Sequence, residues 1–165
     1  MKPIYLIGFM GSGKTTVGKA LGEQWDIPVF DTDEEIVKKQ KMSINEIFEN
    51  IGEKGFRKLE TDMLTSLSSS DCIIMTGGGI ILKEINVQYM RENGTVIFLK
   101  TTIAEILRRL EQDQTRPLLK GDKKKNALEL FERRKDLYQA AAHIIIDTTN
   151  KSVIDIIKEI ENSLK

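Results

Sequence analysis

The sequence predicts an α/β fold of three layers (α/β/α), in which helices cover both faces of a five-stranded parallel sheet. Short apolar runs alternate along the chain with stretches whose apolar residues recur every three or four positions, as they do in strands and helices respectively. A glycine-rich loop joins the first run to the first helical stretch, as in a strand–loop–helix unit. The 165-residue length fits one domain, residues 1–165.

Apolar runs mark the five predicted strands. They are residues 4–7, 28–30, 72–76, 95–99 and 143–147. Each run is short, as expected of strands that are buried on both faces of a parallel sheet. We therefore expect Cys72 to be a buried strand residue rather than a reactive thiol, and His143 to have a structural role.

Capping residues predict where several helices begin. Ser43 with Glu46, and Thr102 with Glu105, have the spacing of capping boxes. Ser152 precedes the apolar stripe of a last helix. The apolar stripes behind these caps are predicted to form the core and are assigned no function.

Two segments interrupt the alternation. Residues 34–67 contain two helical patterns between the second and third strands, and we predict a helical substrate-binding insertion because ligands bind outside the carboxyl ends of the strands in open α/β sheets. Residues 112–125 carry glycine, proline and charge but few periodic apolar positions. That composition fits a lid loop and a solvated loop without function equally well.

Composition narrows the class of partner. The 25 basic and 25 acidic residues cancel, so no overall field favours nucleic acid or an anionic membrane. One cysteine excludes an internal disulfide framework. No stretch approaches the ~18 apolar residues of a membrane span, and the N-terminus lacks the pattern of a secretory leader. We expect a cytoplasmic monomer that acts on a small molecule.

Residues 8–15, Gly-Phe-Met-Gly-Ser-Gly-Lys-Thr, match the phosphate-binding loop (P-loop) pattern G-x-x-x-x-G-K-[ST]. Such a loop directs successive backbone N–H groups at one centre, and the following helix adds its positive dipole end. Lys14 is predicted to contact the β- and γ-phosphates, and the Thr15 hydroxyl to bind Mg²⁺. The residues predicted to bind nucleotide here are Gly11, Ser12, Gly13, Lys14, Thr15 and Thr16.

Asp31 and Asp33 follow the second strand. Two residues apart in an extended chain, their side chains would leave the same face and point into the crevice beside the P-loop. One could orient Mg²⁺ through water while the other accepts a proton or hydrogen bond from a substrate hydroxyl. Alternatively, Asp33 only caps the helix that begins at Glu34.

Three glycines, Gly77, Gly78 and Gly79, directly follow the third strand. A plain turn needs fewer, so we predict that a ligand approaches the backbone closely there. A flexible loop is the alternative.

Helical phase separates the arginines. Arg134 falls near the middle of an apolar helical face that includes Leu137 and Tyr138. A guanidinium there is costly unless an anion meets it, so Arg134 is a candidate for binding a carboxylate or a phosphate. Arg133 falls at the edge of that face. Arg57 lies beside another apolar stripe, with Glu60 three residues later able to orient it. Arg108 and Arg109 lie opposite the apolar stripe of their helix and are predicted to be surface charge.

Taken together, these motifs resemble those of the shikimate kinases. The resemblance rests on the P-loop, Asp31-Thr32-Asp33, Phe56-Arg57-x-x-Glu60, the three glycines, Arg116-Pro117-Leu118-Leu119 and Arg133-Arg134-x-x-Leu137-Tyr138. It extends from Ile4 to about Asp147. The P-loop alone is shared by many nucleotide-binding proteins, whereas the combination is far more specific.

The resemblance implies a P-loop kinase domain, related to nucleoside monophosphate kinases, that phosphorylates the 3-hydroxyl of shikimate. ATP is the implied donor and Mg²⁺ the implied metal, on the route to chorismate and the aromatic amino acids. The implied catalytic residues are Lys14 at the phosphates, Asp33 at the substrate hydroxyls as base or orienter, and Arg116, which closes over the phosphates from the lid.

The resemblance also implies binding roles for the remaining candidates. Arg57 and Arg134 would hold the substrate carboxylate, and Gly77, Gly78 and Gly79 would line the substrate pocket. Thr15 and Asp31 would serve Mg²⁺. Arg109 would flank the adenine, which differs from the surface position that helical phase predicts.

Other functions are weighed against this one. A kinase of another small acceptor, such as a sugar acid like gluconate or a nucleotide, would use the same P-loop. A nucleotide acceptor would need a pocket that recognises its base and arginines that bind its phosphate, whereas a carboxylate held by Arg57 and Arg134 fits an acid better. A GTPase-type switch would need a guanine-reading Asn-Lys-x-Asp. Here Asn150-Lys151 is followed by Ser152-Val153, so that motif is missing.

Overall fold

The computed structural model describes residues 1–67, 69–111 and 123–165. Its centre is a five-stranded sheet of order β2-β3-β1-β4-β5, in which every neighbouring pair is parallel. The strands are β1 Ile4–Ile7, β2 Val29–Asp31, β3 Ile73–Met75, β4 Thr95–Lys100 and β5 Ile144–Asp147. This sheet confirms the predicted fold class.

Seven helices lie among the described residues. They are α1 Lys14–Trp25, α2 Thr32–Gln40, α3 Ile44–Leu67, α4 Glu84–Asn93, α5 Ile103–Leu110, α6 Lys123–Ala141 and α7 Val153–Ser163, with a short 3₁₀ turn over Ile80–Leu82. The predicted caps of α5 and α7 are present, since the Thr102 and Ser152 hydroxyls accept hydrogen bonds from backbone N–H groups three residues later. Ser43 does the same before α3.

Alternate strand residues feed two apolar cores, one on each face of the sheet. Tyr5, Ile74 and Phe98 pack towards α5 and α6 on one face, while Leu6 and Ile97 pack towards α1 and α7 on the other. Because successive side chains of a strand point to opposite faces, each strand serves both layers. Cys72 is fully buried, and His143 accepts a hydrogen bond at Nδ1 from the Val96 backbone at 3.0 Å, as structural residues do.

The segment 34–67 has a core of its own. Ile36 of α2 packs against Ile47, Phe56 and Met63 of α3. Within α3 the backbone breaks at Gly52, whose φ of 69° is in the left-handed region. This helical pair follows β2 and therefore rises from the carboxyl edge of the sheet.

The predicted lid, residues 112–125, lies outside the described residues as far as residue 122, and residues 123–125 form the first turn of α6. Arg116 is among the residues outside the description. Among the described residues, none of the helices is both long enough and apolar enough to cross a membrane.

The C-terminal helix is attached to α1. The Trp25 indole N–H, at the end of α1, donates to Glu161 Oε1 of α7 at 2.9 Å, and the Gln24 amide donates to the same oxygen. These contacts lie at the opposite end of α1 from its first residue, Lys14, where the P-loop joins the helix.

Candidate active site

The P-loop connects β1 directly to α1. Gly11 and Gly13 have φ values of 80° and 97°, so both turns need the left-handed conformation that glycine adopts freely. Gly13 caps α1 without a side chain, which leaves the first N–H groups of the helix for an anion. The Lys14 ammonium lies against the loop, donating to the carbonyls of Gly8 at 2.6 Å and Phe9 at 3.1 Å.

A cavity of about 480 Å³ opens above this loop. Its lining includes every residue predicted to bind nucleotide in the P-loop, together with both aspartates and Arg109. Thr148 and Lys151, which follow β5, also line it. Neither of these two stood out in the sequence, although residues after any strand reach the same edge of a parallel sheet.

Arg109 bridges α5 and the P-loop. Its Nη1 donates to the Gly11 carbonyl at 2.7 Å, and its Nε donates to Glu105 at 3.0 Å. Arg108 and Arg109 hydrogen-bond Glu105 and lower the pKa of its carboxyl to about 2. Helical phase predicted both arginines as surface charge. That prediction fits Arg108, which is 68% exposed, and is wrong for Arg109, because its long side chain reaches past the helix.

The two aspartates are arranged differently from the prediction. The strand ends at Asp31 and α2 begins at Thr32, so Asp31 and Asp33 do not share a strand face. Asp31 Oδ1 accepts from the N–H groups of Asp33 at 2.9 Å and Glu34 at 3.2 Å, which makes Asp31, not Asp33, the cap of the helix. Both side chains nevertheless line the large cavity.

A second, smaller cavity of about 60 Å³ adjoins the first. Met10, Asp33, Gly77 and Gly78 line both. The residues that line only the smaller one are Ile44, Phe48, Phe56, Arg57, Glu60, Gly79 and Arg134. Two cationic side chains, two acidic ones and an aromatic wall therefore surround a space next to the P-loop.

Glu60 holds the guanidinium of Arg57 as predicted. Arg57 Nη1 donates to Glu60 Oε1 at 3.0 Å, and its Nη2 donates to Glu53 at 3.2 Å. Glu60 is only 1% exposed. Burial raises the pKa of its carboxyl to about 7, against the lowering effect of Arg57, and the nearby charge of Asp33 adds to the increase.

Arg134 of α6 is 3% exposed, which agrees with its predicted place on the inward face, and its neighbour Arg133 is exposed. The guanidinium lies beside the hydroxyl of Tyr138, one turn further along the helix, and its charge opposes the increase in pKa that burial causes in that phenol. Leu137, placed on the same face by phase, is 42% exposed instead.

The three glycines give room to the charged groups of the small cavity. A Cβ at Gly77 would lie 2.7 Å from Asp33 Oδ1 and 2.8 Å from Glu60 Oε2, and one at Gly79 would overlap the Arg57 guanidinium. The loop is also anchored, since the Gly77 N–H donates to Thr32 Oγ1 at 3.0 Å. The sequence predicted that a ligand approaches this backbone closely. In the structure, side chains of the cavity approach it closely.

The fold and the two adjoining cavities define a P-loop kinase of a small anionic acceptor: one cavity suits a nucleotide phosphate, and the other presents two buried arginines. The family model described as shikimate kinase matches residues 10–165. The chain belongs to the shikimate kinase family, which confirms the resemblance of the motifs.

Individual relatives agree along the whole chain. A shikimate kinase of Bacillus cereus strain G9842 is 46% identical over 164 residues, covering 99% of each chain. The shikimate kinase of Acinetobacter baumannii in complex with shikimate superposes with a TM-score of 0.95 at 36% identity, covering 99% of this chain and 93% of that one. For the shikimate kinase of Aquifex aeolicus, the TM-score is 0.86 at 40% identity, with 98% and 95% covered.

Proposed function

We propose that this protein transfers the γ-phosphoryl group of ATP to the 3-hydroxyl of shikimate. The observation that carries the proposal is the small cavity with Arg57 and Arg134 in its wall, separated from the P-loop cavity only by residues that line both. An acid held there has a neighbouring hydroxyl within reach of a phosphate held by the P-loop. Family membership and the shikimate-bound relative support the choice of acid.

The P-loop side binds the donor. The N–H groups at the start of α1 bind the phosphates, and the Lys14 ammonium exchanges its carbonyl partners for phosphate oxygens. Thr15 and Asp31 would hold Mg²⁺; both line the cavity, and this oxygen donor set suits an ion that takes few protein ligands beside phosphate and water. When bound, Mg²⁺ supplies charge neutralisation at the phosphates.

The smaller cavity binds the acceptor. Arg57 and Arg134 pair with the carboxylate, and Gly77, Gly78 and Gly79 form the adjoining wall. Asp33 lines both cavities and accepts a hydrogen bond from the attacking hydroxyl, orienting it or taking its proton. Phosphoryl transfer needs little covalent chemistry from the protein, so most of the acceleration comes from position and charge.

Two residue roles in the proposal come from the family resemblance. Arg116 contacts the phosphates from a lid over residues 112–125, which lies mainly outside the described residues. Arg109 flanks the adenine in addition to its contact with Gly11. We further propose that the enzyme acts in the cytoplasm as a monomer; size-exclusion chromatography with light scattering measures the oligomeric state.

The deciding experiment is turnover with ATP and Mg²⁺ in the presence of shikimate, gluconate, a nucleoside monophosphate or no acceptor, with the product identified by mass spectrometry. We expect phosphorylation of shikimate alone. Lys14→Met is the control for the site, since it removes a charge that stabilises the transition state and should abolish turnover in a folded protein. Preferred phosphorylation of another acceptor, or ATP hydrolysis indifferent to shikimate, would contradict the proposal.

A further inference from the structure

Tyr138 is a buried polar residue to which the chemistry described so far gives no role. It lies one turn after Arg134 on α6 and is 1% exposed. Its hydroxyl donates to the Gly78 carbonyl at 2.5 Å and lies beside the Arg134 guanidinium. Its ring is stacked on Phe98, with the centroids 5.3 Å apart.

We infer that Tyr138 is a positioning residue that fixes the guanidinium of Arg134 against the glycine loop, so that the carboxylate site is formed before the substrate arrives. The inference rests on the proposed function. A Cβ placed on Gly78 would lie 3.4 Å from Arg134 Nη1, 3.6 Å from the Tyr138 hydroxyl and 3.7 Å from the Met10 nitrogen. Arginine, phenol, glycine loop and P-loop thus meet around one glycine.

A phenol suits this position because it can donate and accept at once. A guanidinium only donates hydrogen bonds, so Arg134 can be held only by a group that accepts one. The Gly78 carbonyl also needs a donor, and a phenol can serve both groups. The Tyr138 hydroxyl donates its hydrogen bond to the carbonyl, which leaves a lone pair that can accept one from the guanidinium beside it. Burial raises the pKa of Tyr138 to about 12, so the phenol keeps its proton across the working pH range.

Holding the Arg134 side chain in place before binding should improve affinity, because an arginine side chain loses much rotamer freedom when it binds a ligand. A guanidinium already oriented by its neighbour requires less ordering when the carboxylate arrives, which improves binding without a new contact to the ligand. Gly78 lines both cavities. The same hydroxyl therefore fixes the carboxylate site relative to the phosphate site.

The test is Tyr138→Phe, which keeps the ring on Phe98 and removes only the hydroxyl. We expect KM for shikimate to rise about tenfold, with KM for ATP within twofold of the parent and kcat reduced less than kcat/KM. Tyr89→Phe is the matched control, since the Tyr89 hydroxyl donates to the Thr65 carbonyl at 3.4 Å, away from both cavities. It should leave all three constants unchanged.

Two further measurements separate positioning from loss of structure. The ratio of kcat/KM for shikimate to that for its methyl ester does not depend on the folded fraction, and it should fall about tenfold in Tyr138→Phe. In an Arg134→Ala background the same change should lower kcat/KM less than twofold, because the hydroxyl acts through Arg134. Tyr138→Met, which also lacks a hydroxyl, repeats the ratio if the phenylalanine variant folds poorly.

An unchanged ratio of acid to ester, or an equal loss in both backgrounds, would overturn the inference. If the parent enzyme phosphorylates shikimate and Tyr138→Phe has the same kinetic constants as the parent, the inference about Tyr138 is wrong but the proposed function stands. Parent enzyme without activity on shikimate would sink the proposed function instead, so the two failures are distinguishable.

Discussion

Arg134 is buried to an extent that requires an anionic or polar partner. If the partner is the shikimate carboxylate, Arg134→Ala should lose about 1.5–3 kcal/mol of substrate binding, the range for hydrogen bonds to charged groups. The loss should be visible mostly in KM, because the contact is present before and during transfer. Steady-state kinetics with shikimate measure it.

Arg133→Ala is the matched control for that variant, since Arg133 is the exposed neighbour on the same helix. It should leave KM for shikimate unchanged. Arg134→Lys should rescue only in part, because an ammonium cannot reproduce the planar fork of a guanidinium. Equal losses for shikimate and its methyl ester would show that Arg134 does not bind the carboxylate.

Glu60 should make stability depend on pH. The folded-state pKa of about 7 lies above the ordinary 4.5, so the folded protein retains a proton that the unfolded chain releases. This contribution is fully present below pH 4.5 and is lost as the pH rises through about 7. Between these two pH values, the free energy of unfolding should decrease by an amount on the order of 3 kcal/mol.

Glu60→Gln removes this titration while the neighbouring charges Asp33, Arg57 and Arg134 stay. Denaturant unfolding of both proteins between pH 4 and 8 gives the difference between their free energies of unfolding, in which other groups cancel. As the pH rises, that difference should shift in favour of the variant, because only the parent has a carboxyl at this position that loses its proton. Parallel curves for the two proteins would contradict the raised pKa.

The start of α2 combines a structural task with a proposed metal task in one carboxylate. Asp31 caps the helix through two backbone N–H groups, and asparagine caps as well as aspartate does. Asp31→Asn should therefore keep stability but weaken the response of activity to Mg²⁺. Asp31→Ala should lose the same response and about 1 kcal/mol of the free energy of unfolding.

Thermal unfolding and a Mg²⁺ titration of turnover, made on both variants, check this separation. If Asp31→Asn kept the Mg²⁺ dependence of the parent, Asp31 would be a cap only. If the two variants were equally destabilised, the asparagine would have failed as a cap.

The elements were predictable wherever burial alone determines them. The β1 range matched the apolar run 4–7, and the other strands differ from their runs by a residue or so at their ends, because apolar runs locate buried strands well. The start of α2 was missed, since the cap at Asp31 turns the chain before the second aspartate. Nothing in the Asp-x-Asp spacing itself distinguishes an extended chain from a first helical turn.

Side-chain reach and packing against loops were harder to predict. Periodicity gives the direction in which Arg109 leaves α5, not the Gly11 carbonyl that its end contacts. The three glycines indicated close approach, but only the packed structure shows that Asp33, Glu60 and Arg57 are the groups that approach. Tyr138 looked like a core residue, and its ring is one, whereas its hydroxyl serves the site.

At the scale of the whole molecule, two cavities lie side by side and have different cationic side chains: Lys14 lines the P-loop cavity and Arg134 lines the smaller one. A ligand that binds only the folded state at 100 times its Kd raises the free energy of unfolding by about 2.7 kcal/mol. Saturating shikimate and a non-hydrolysable ATP analogue should each do so. Arg134→Ala should reduce only the effect of shikimate, and Lys14→Met only that of the nucleotide.

Thermal shift titrations of both variants with each ligand provide this measurement. Arg133→Ala again serves as the control, with both shifts retained. If either variant lost both shifts equally, the two cavities would not bind separate ligands, and the division between donor and acceptor sites would be wrong.

The hydrogen bond from Trp25 to Glu161 determines which part of the structure the tryptophan fluorescence of this protein reports on. The chain has one tryptophan, and its indole lies at the far end of α1, roughly 16 Å along the helix from Lys14 at 1.5 Å per residue. Its fluorescence therefore senses whether α7 remains packed on α1. Emission followed during unfolding is a local probe of the C-terminal helix, and its agreement with circular dichroism, which averages over all helices, would establish whether this layer and the helical insertion unfold together.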